Sequence, residues 1–380
     1  MRVMTSVVAL HLAAVVLHLG GAGSLAAQFT PTQALLAEFD AEVAREVAED
    51  GAGAVSVAVF RGDEVLWEKG WGWADIEGGV PADAATIGRT GSISKTFTAV
   101  LLMQLVDRGL VDLDEPVANH LPEVDGLAEA PDGAEPVTFR MLAAHTGGLI
   151  REPELEGAAS GSIYLWEEKV LESIPHTRFQ AAPGTEYSYS NIGYGILGLA
   201  LSRAAGEPFM ELMRELVFGP LGMASSTFIL DSPELIERMS VGYSRSSSTG
   251  EVSAERATRE HFGRGYKVPN GGVYSTVGDL ARFGAALMGR GRVQILSEES
   301  RRAMITPQAP AEGYGLGLQL YAVGGEEDGI PVAGHGGSVA GYNAHLVVEP
   351  ETGLGVAVLR TTGYNPPSSA LLADLVRAER

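Results

Sequence analysis

The 380-residue sequence contains no cysteine. This absence excludes disulfide bonds, thiolate metal ligands and a cysteine nucleophile. Lysine is also scarce, so a lysine that takes part in chemistry has to be one of four residues. These are Lys69, Lys95, Lys169 and Lys267.

Basic residues are outnumbered, with 27 Lys and Arg against 48 Asp and Glu, for a formal net charge of -21. A nucleic-acid-binding protein needs a basic surface to neutralise phosphates, so we expect no nucleic-acid partner. Apolar residues make up 45% of the chain and charged residues 20%. This balance is typical of a globular protein with a large core and argues against a disordered chain.

Charged residues are absent from positions 3–37, near the start of the chain. Arg2 precedes an apolar run over residues 7–19, and small residues then lead to Ala26 and Ala27. This layout predicts a secretory signal over residues 1–27, cleaved after Ala27 or Ala26, and a secreted or periplasmic protein. A membrane anchor is the weaker interpretation, because the run is short for a span and contains two histidines. No other segment is apolar enough to predict a membrane span.

The pattern of apolar residues predicts strands at both ends of the mature chain and helices between them. The expected helices that matter most cover residues 32–49, 92–108 and 368–379, and the expected strands cover 55–60, 64–70, 316–323, 342–349 and 355–360. We therefore predict an α+β fold. Its antiparallel sheet lobe, about 28–85 and 290–380, is flanked by terminal helices, and a mostly helical lobe, about 86–289, is inserted into it.

The best candidate for catalysis is the segment Gly91-Ser92-Ile93-Ser94-Lys95. At a spacing of three, Ser92 and Lys95 share one face of the predicted helix. A serine hydroxyl is a weak nucleophile until a base lies beside it, and a neutral lysine can be that base. The helix is apolar nearly all round, so burial is expected to lower the lysine pKa. The alternative is an ordinary serine helix cap followed by a solvated lysine.

Two further motifs favour the catalytic interpretation. Tyr189-Ser190-Asn191 lies about a hundred residues downstream, and His335-Gly336-Gly337 lies on a strand-like stretch near the C-terminus. In this order the three motifs resemble those of the class C β-lactamase and penicillin-binding-protein family of serine hydrolases. Flanking segments resemble the family as well, over about residues 35–360; they include residues 70–75, 110–117, 141–149, 220–223 and 314–317.

The resemblance implies a role for each matching residue. Ser92 would be the acylated nucleophile, Lys95 its base, and Tyr189 a second group that exchanges protons with the nucleophile and the leaving group. Asn191 would bind substrate and orient Lys95, and His335 would stand at the place of the family's third-motif lysine. Gly336 and Gly337 would let the substrate approach the strand, and the backbone N–H groups of Ser92 and Ser338 would form an oxyanion hole.

Two departures from the family's pattern bear on the substrate. His335 replaces a lysine, so a permanent positive charge is lost unless the histidine pKa is raised. Gly336 replaces a hydroxyl residue that helps to hold a substrate carboxylate in β-lactam-active relatives. Both departures favour an esterase, amidase or peptidase over an efficient β-lactamase.

We therefore expect an acyl-enzyme hydrolase that acts on a small-molecule or peptide acyl substrate, without a cofactor or metal. A penicillin-binding D-alanyl-D-alanine peptidase or β-lactamase is the first alternative, and a non-catalytic binding member of the family is the second. His145 and His345 are expected to be structural. The loops over residues 122–136, 152–162 and 244–264 are candidates for setting substrate choice, and the sequence leaves the oligomeric state open.

Overall fold

The computed structural model describes residues 30–128, 131–254, 264–325 and 328–380. The predicted signal segment lies outside the described residues, as do residues 129–130 of the first candidate loop and residues 255–263 of the third.

A seven-stranded antiparallel sheet forms the frame of the molecule. Its strands are β1 (Ala54–Arg61), β2 (Glu64–Asp75), β3 (Val80–Pro81), β8 (Gln319–Val323), β9 (Ile330–Val339), β10 (Tyr342–Val348) and β11 (Leu354–Arg360). They lie in the order β3-β2-β1-β11-β10-β9-β8, so the N-terminal and C-terminal strands join where β1 pairs with β11. Two short strand pairs lie outside it: β4 (Gly88–Arg89) with β7 (Tyr274–Ser275), and β5 (Ser244–Arg245) with β6 (Val252–Ser253).

Helices cover both faces of this sheet. Strand β1 is buried along almost its whole length, and its successive side chains point to opposite faces. Val57 packs into a core formed with the terminal helices α1 (Pro31–Asp50) and α11 (Ser368–Glu379). Phe60 faces the larger core, which contains the middle of the chain. The sheet is therefore the centre of a sandwich, because each face buries its own apolar side chains.

The middle of the chain is mostly helical. Its helices are α2 (Ile93–Asp107), α3 (Phe139–Ala143), α4 (Trp166–Ser173), α5 (Asn191–Ala205), α6 (Phe209–Met213), α7 (Pro233–Glu237), α8 (Val268–Gly271), α9 (Val277–Leu287) and α10 (Glu298–Met304). Helix α2 is buried over nearly all its residues, and Phe97 stacks on Phe283 of α9 at 3.9 Å between ring centroids. An all-round apolar helix is stable only in the interior, and α2 lies there.

The predicted α+β fold, an antiparallel sheet flanked by terminal helices with a mostly helical insertion, is confirmed. Helix α9 falls within the residues assigned to the helical lobe, yet it packs on β1 and β11 of the sheet. Strand β8 begins at Gln319 rather than Leu316, because the backbone N–H groups of Leu316 and Gly317 bond to Met304 and Ala143 instead. No helix in the described part of the chain is long and apolar enough to cross a membrane.

Candidate active site

Ser92 lies at the N-terminal end of α2 and is half-buried. Its backbone is helical, with φ -65° and ψ -7°, and its side chain makes no capping hydrogen bond. The preceding Gly91 has φ +52°, a conformation that favours glycine. A Cβ on Gly91 would also lie 2.6 Å from the backbone nitrogen of Ser338. The turn at Gly91 is therefore in close contact with β9. Because the Ser92 hydroxyl does not cap the helix, it is available for chemistry.

Lys95 is completely buried, one helical turn from Ser92. Its Nζ donates to the Ser92 Oγ at 3.1 Å and to the Asn270 carbonyl oxygen at 3.1 Å. Burial lowers the lysine pKa well below its usual value, and the nearby cation Arg151 lowers it further, while Glu152 opposes the shift. The lysine is not on a solvated face. Its environment favours the neutral amine, which can accept the Ser92 proton.

Tyr189 packs over the same lysine. The Lys95 Nζ lies 4.8 Å from the centre of the Tyr189 ring, and the Arg151 guanidinium lies 4.9 Å from it. Burial raises the pKa of the phenol to about 12, although hydrogen bonding with the Ser92 side chain partly offsets this shift. At neutral pH the phenol is therefore protonated, so Tyr189 begins a reaction cycle as a proton donor.

His145 packs against the ring of Tyr189. Its ring lies 4.2 Å from the Tyr189 ring between centroids, and the backbone N–H of Ser190 donates to its Nδ1 at 3.1 Å. The histidine is buried, and burial lowers its pKa well below the usual value. Its backbone has φ +60°, a strained conformation for a residue with a side chain. A neutral, fixed ring at this place supports the position of Tyr189 and adds no charge beside Lys95.

His335 is buried on β9, and both of its ring nitrogens have partners. Because the Gly336 carbonyl can only accept, Nδ1 donates to it at 2.6 Å, and Nε2 accepts from the Tyr314 hydroxyl at 3.0 Å. Burial lowers the His335 pKa to about 3, and Lys95 would lower it further whenever its amine is protonated. The histidine is therefore neutral at physiological pH and does not restore the charge of the lysine it replaces.

The edge of β9 beside Ser92 is open to a substrate. Strand β8 pairs with β9 only as far as Gly334, so residues 335–339 run on past its end. A Cβ on Gly337 would overlap the Thr90 carbonyl oxygen and lie 3.2 Å from the Ser92 nitrogen, whereas a Cβ on Gly336 would meet nothing within 4 Å. The backbones of Ser92 and Ser338 thus lie on segments in close contact, as an oxyanion hole built from their N–H groups requires.

Asn191 lies near Lys95 but reaches it through a second asparagine. Its side-chain Nδ2 donates to Glu152 Oε1 at 2.6 Å, and its backbone carbonyl oxygen accepts from Asn270 Nδ2 at 2.9 Å. The backbone carbonyl oxygen of Asn270 in turn accepts from the Lys95 Nζ. Glu152 also accepts from the Tyr266 hydroxyl and pairs with Lys267. Sequence reasoning missed Glu152, Asn270 and Arg151, because no spacing connects these residues to the three motifs.

Two cavities of about 760 and 810 Å³ meet at Ser92. The first cavity is lined by residues that include Asn191, Lys267 and Ser338. The second cavity is lined by residues that include Tyr189 and His335. Neither cavity is lined by a described Asp or Glu, although the chain as a whole is strongly acidic. In the described part of the chain, no group of three or more His, Asp or Glu residues could hold a metal ion.

Comparison with known proteins identifies the family of the chain. The Beta-lactamase family model matches residues 39–379. The D-alanyl-D-alanine-carboxypeptidase/endopeptidase AmpH of Escherichia coli (strain K12) is 26% identical over 324 residues, which are 82% of this chain and 80% of that protein. Esterase EstB of Burkholderia gladioli is 29% identical over 357 residues, which are 85% of this chain and 89% of the esterase.

A solved structure shows the same fold. The octameric penicillin-binding protein homologue from Pyrococcus abyssi matches with a TM-score of 0.74 and 26% identity, over 91% of this chain and 78% of that chain. The resemblance inferred from the motifs is thereby confirmed for β-lactamase-related and penicillin-binding-like serine hydrolases. From the family match over most of its length and the shared fold, this chain belongs to the beta-lactamase family.

Proposed function

We propose that this protein is a serine hydrolase that cleaves an ester or an amide through a covalent acyl-enzyme on Ser92. One observation carries the proposal: the Nζ of the fully buried Lys95 lies 3.1 Å from the Ser92 Oγ, within hydrogen-bond distance. A lysine with a strongly lowered pKa next to an uncapped serine hydroxyl is a base beside a nucleophile. The candidate signal over residues 1–27 extends the proposal to a secreted or periplasmic enzyme.

Acylation would begin when neutral Lys95 accepts the proton of Ser92. The Oγ then attacks the substrate carbonyl carbon, and the N–H groups of Ser92 and Ser338 hold the negative oxygen of the tetrahedral intermediate. Tyr189 donates its phenol proton to the leaving oxygen or nitrogen as the bond to carbon breaks, and Lys95 returns a proton to Tyr189. The leaving group departs as an alcohol or an amine.

Deacylation would use the same groups with water. A water molecule gives one proton to the basic pair of Lys95 and Tyr189 while its oxygen attacks the acyl carbon. The Ser92 oxygen leaves and regains a proton from that pair, and the carboxylic acid is released. Each proton is returned within the cycle, so no cofactor is needed.

The charges of the cleft favour an acyl donor that carries a negative group. Arg151 and Arg360 both line the cavity that contains Tyr189 and His335. Arg151 forms no ion pair with a described residue, and the Arg360 guanidinium donates to the Thr362 and Gly363 carbonyls. A guanidinium binds a carboxylate through two parallel hydrogen bonds. Since His335 is neutral, Arg151 and Arg360, and not the third motif, place positive charge on the described wall of this second cavity, where they could bind a substrate carboxylate.

Labelling with a fluorophosphonate probe, followed by intact-mass analysis, tests the proposal. The wild-type protein should gain one adduct, and Ser92→Ala should gain none. Ser94→Ala is the matched control, because Ser94 lies on the same helix but is buried and contacts Thr90 instead of the cleft. Absence of an adduct on folded wild-type protein would contradict the proposal and favour the non-catalytic binding alternative.

A penicillin-binding peptidase is the second candidate, and the similarity to AmpH and to the penicillin-binding protein homologue favours it. Ester, D-aminoacyl-peptide and cephalosporin substrates should be compared with the same enzyme preparation. Our proposal expects turnover of esters or peptides and slow turnover of cephalosporins. Rapid labelling by a fluorescent penicillin, with an acyl-enzyme that persists for hours, would support the second candidate instead.

A further inference from the structure

A third cavity lies beside the catalytic cleft. It has a volume of about 710 Å³, and the residues that line it include Pro310, Tyr314, Leu320 and Tyr321. These residues belong to β8 and to the segment that precedes it. A cavity of this size accommodates a small organic group. No step of the proposed mechanism uses it.

The third cavity adjoins the second one, which contains Tyr189 at its wall. Gln319, Gly336, His345 and Ser369 line both cavities. Gly336 has no side chain, and a Cβ at this position would meet nothing within 4 Å, so the space beside this point of β9 is open. A substrate group in the second cavity can therefore extend past β9 into the third.

The wall of the third cavity is mostly apolar, and its buried polar groups are already paired. The Tyr314 hydroxyl donates to His335. The Tyr321 hydroxyl is hydrogen-bonded to His345 Nε2 at 3.1 Å, and the other ring nitrogen of His345 is hydrogen-bonded to Ser368 Oγ at 2.8 Å. Burial lowers the pKa of His345 to about 4, so this ring is neutral. An occupant therefore meets aromatic and aliphatic surface, which is stabilised when it loses contact with water.

Charge distinguishes this cavity from the two that meet at Ser92. Arg360 lines both of those cavities, and Lys267 and Arg151 line one each. Among the described residues that line the third cavity, Glu312 alone carries a charge, and it is exposed. An anionic group is therefore favoured in the first two cavities, and a neutral apolar group in the third.

The position of Tyr189 indicates which part of a substrate reaches the third cavity. In the proposed acylation the phenol gives its proton to the leaving atom, so that atom lies beside Tyr189. Tyr189 lines the second cavity and is not among the described residues that line the first. The leaving group therefore extends through the second cavity towards the third, and the first cavity remains for the acyl group.

We propose that the third cavity binds a neutral apolar part of the leaving group, of the aryl or branched-alkyl class. The preferred substrate is then an ester or amide of a bulky apolar alcohol or amine, because a small amino acid such as D-alanine would leave the cavity unfilled. The inference rests on the proposed function, since it uses Tyr189 as the proton donor to the leaving group.

Esters that share one acyl group test the inference. The p-methyl-, p-propyl- and p-pentylphenyl acetates all form the same acetyl-enzyme, and the alkyl group barely changes the acidity of the phenol. We expect kcat/KM to rise about tenfold from methyl to propyl, because each methylene leaves water for an apolar wall. Ser92-dependent turnover without this rise would overturn the present inference alone. Absence of Ser92-dependent turnover would overturn the hydrolase proposal and this inference with it.

Gly313 allows the cavity to be blocked at its wall. The residue is exposed, and a Cβ there would meet only the Leu320 carbonyl oxygen, at 3.6 Å. Gly313→Trp, which adds bulk, and Gly313→Asp, which adds charge, should each abolish the rise. Both should preserve the ratio of kcat/KM between the acetate and the butyrate of p-methylphenol, which reports the acyl side.

Ala378→Trp is the control for the Gly313 variants, because it adds the same ring at an exposed position near the end of α11. It should keep the full rise along the alkylphenyl series. A full rise in both Gly313 variants would show that the alkyl group binds elsewhere and would overturn the proposal.

Two alcohols of the same shape distinguish an apolar site from a cation site. Choline carries a positive charge that the tyrosine rings and Glu312 would attract, whereas neohexyl alcohol is its neutral carbon isostere. Neohexyl alcohol should inhibit ester hydrolysis about tenfold more strongly than choline, and Gly313→Trp should weaken this inhibition. Equal or stronger inhibition by choline would overturn the assignment of an apolar leaving group.

Discussion

Replacing Tyr189 with phenylalanine removes a single oxygen atom from the proposed active site. The ring remains, so its packing on His145 at 4.2 Å and its face towards the Lys95 amine at 4.8 Å are preserved. What is lost is the phenol proton and its interaction with Ser92. The variant therefore separates the proposed proton transfer by Tyr189 from its structural role.

The expected loss follows from the protonation state of the phenol. Because burial raises its pKa to about 12, Tyr189 is protonated at neutral pH. It acts as a donor to the leaving group, and removing a positioned general acid costs about 10²–10⁴ in rate. This corresponds to about 3–5 kcal/mol of transition-state stabilisation. The lost hydrogen bond should cost folding stability only about 1 kcal/mol.

The assay is steady-state hydrolysis of a p-nitrophenyl ester and of an amide across pH 5–9, beside thermal unfolding. We expect kcat and kcat/KM to fall together, because the interaction is made only in the transition state. The fall in rate on the acid side should persist, because it reports protonation of Lys95, whose pKa burial has lowered. Tyr187→Phe is the matched control: its ring also contacts His145, but the residue is 45% exposed. A Tyr189→Phe enzyme that keeps more than a tenth of the wild-type kcat would refute the reasoning.

Three further predictions concern the surroundings of Ser92. Gly337→Ala should lower kcat by about two to three orders of magnitude, because the added Cβ would push the Thr90 carbonyl and disturb the oxyanion hole. Gly336→Ala is the control and should change kcat little, because the space around Gly336 is open. Equal effects of the two variants on ester turnover would contradict this assignment. Arg151→Gln should raise KM about tenfold for a carboxylate-bearing ester and leave the KM of a neutral ester unchanged, and equal changes in KM for the two esters would exclude the proposed charge contact. The folded-state pKa of His335, about 3, lies below the unfolded value near 6.5, so the unfolded chain takes up its proton first and stability falls as the pH drops from about 6.5 towards 3. His335→Asn should weaken this dependence in urea unfolding measured between pH 7 and pH 4, and an unchanged dependence would show that His335 is not its source.

The periodicity of single segments predicted several parts of the fold directly. The C-terminal helix begins and ends at the predicted residues, Ser368 and Glu379, since its apolar face repeats along one continuous stretch. Helix α2 was expected to be central because apolar residues cover more than one of its faces, and it is buried accordingly. The beginning of β8 could not be predicted in this way, because the groups that pair with Leu316 and Gly317 belong to distant parts of the chain.

The sequence by itself determined the candidate nucleophile and its base. Ser92 and Lys95 are three residues apart, so any helix that contains them brings their side chains together, and the apolar residues around them bury the lysine. The sequence also shows that His335 and Gly336 differ from the family's third motif, but it does not determine whether the histidine is charged. That charge depended on neighbours that only the folded chain supplies.

Only the tertiary structure decided the remaining electrostatics of the site. The carbonyl that accepts from Lys95 belongs to Asn270, which is 175 residues away in the chain. Two cations of the cleft, Arg151 and Arg360, come from a loop and from the end of a C-terminal strand. Likewise, burial beside Lys95 keeps His335 neutral. Local periodicity determines which residues share a helix face or a strand face, but charge, protonation and substrate preference depend on groups that only long-range packing brings together.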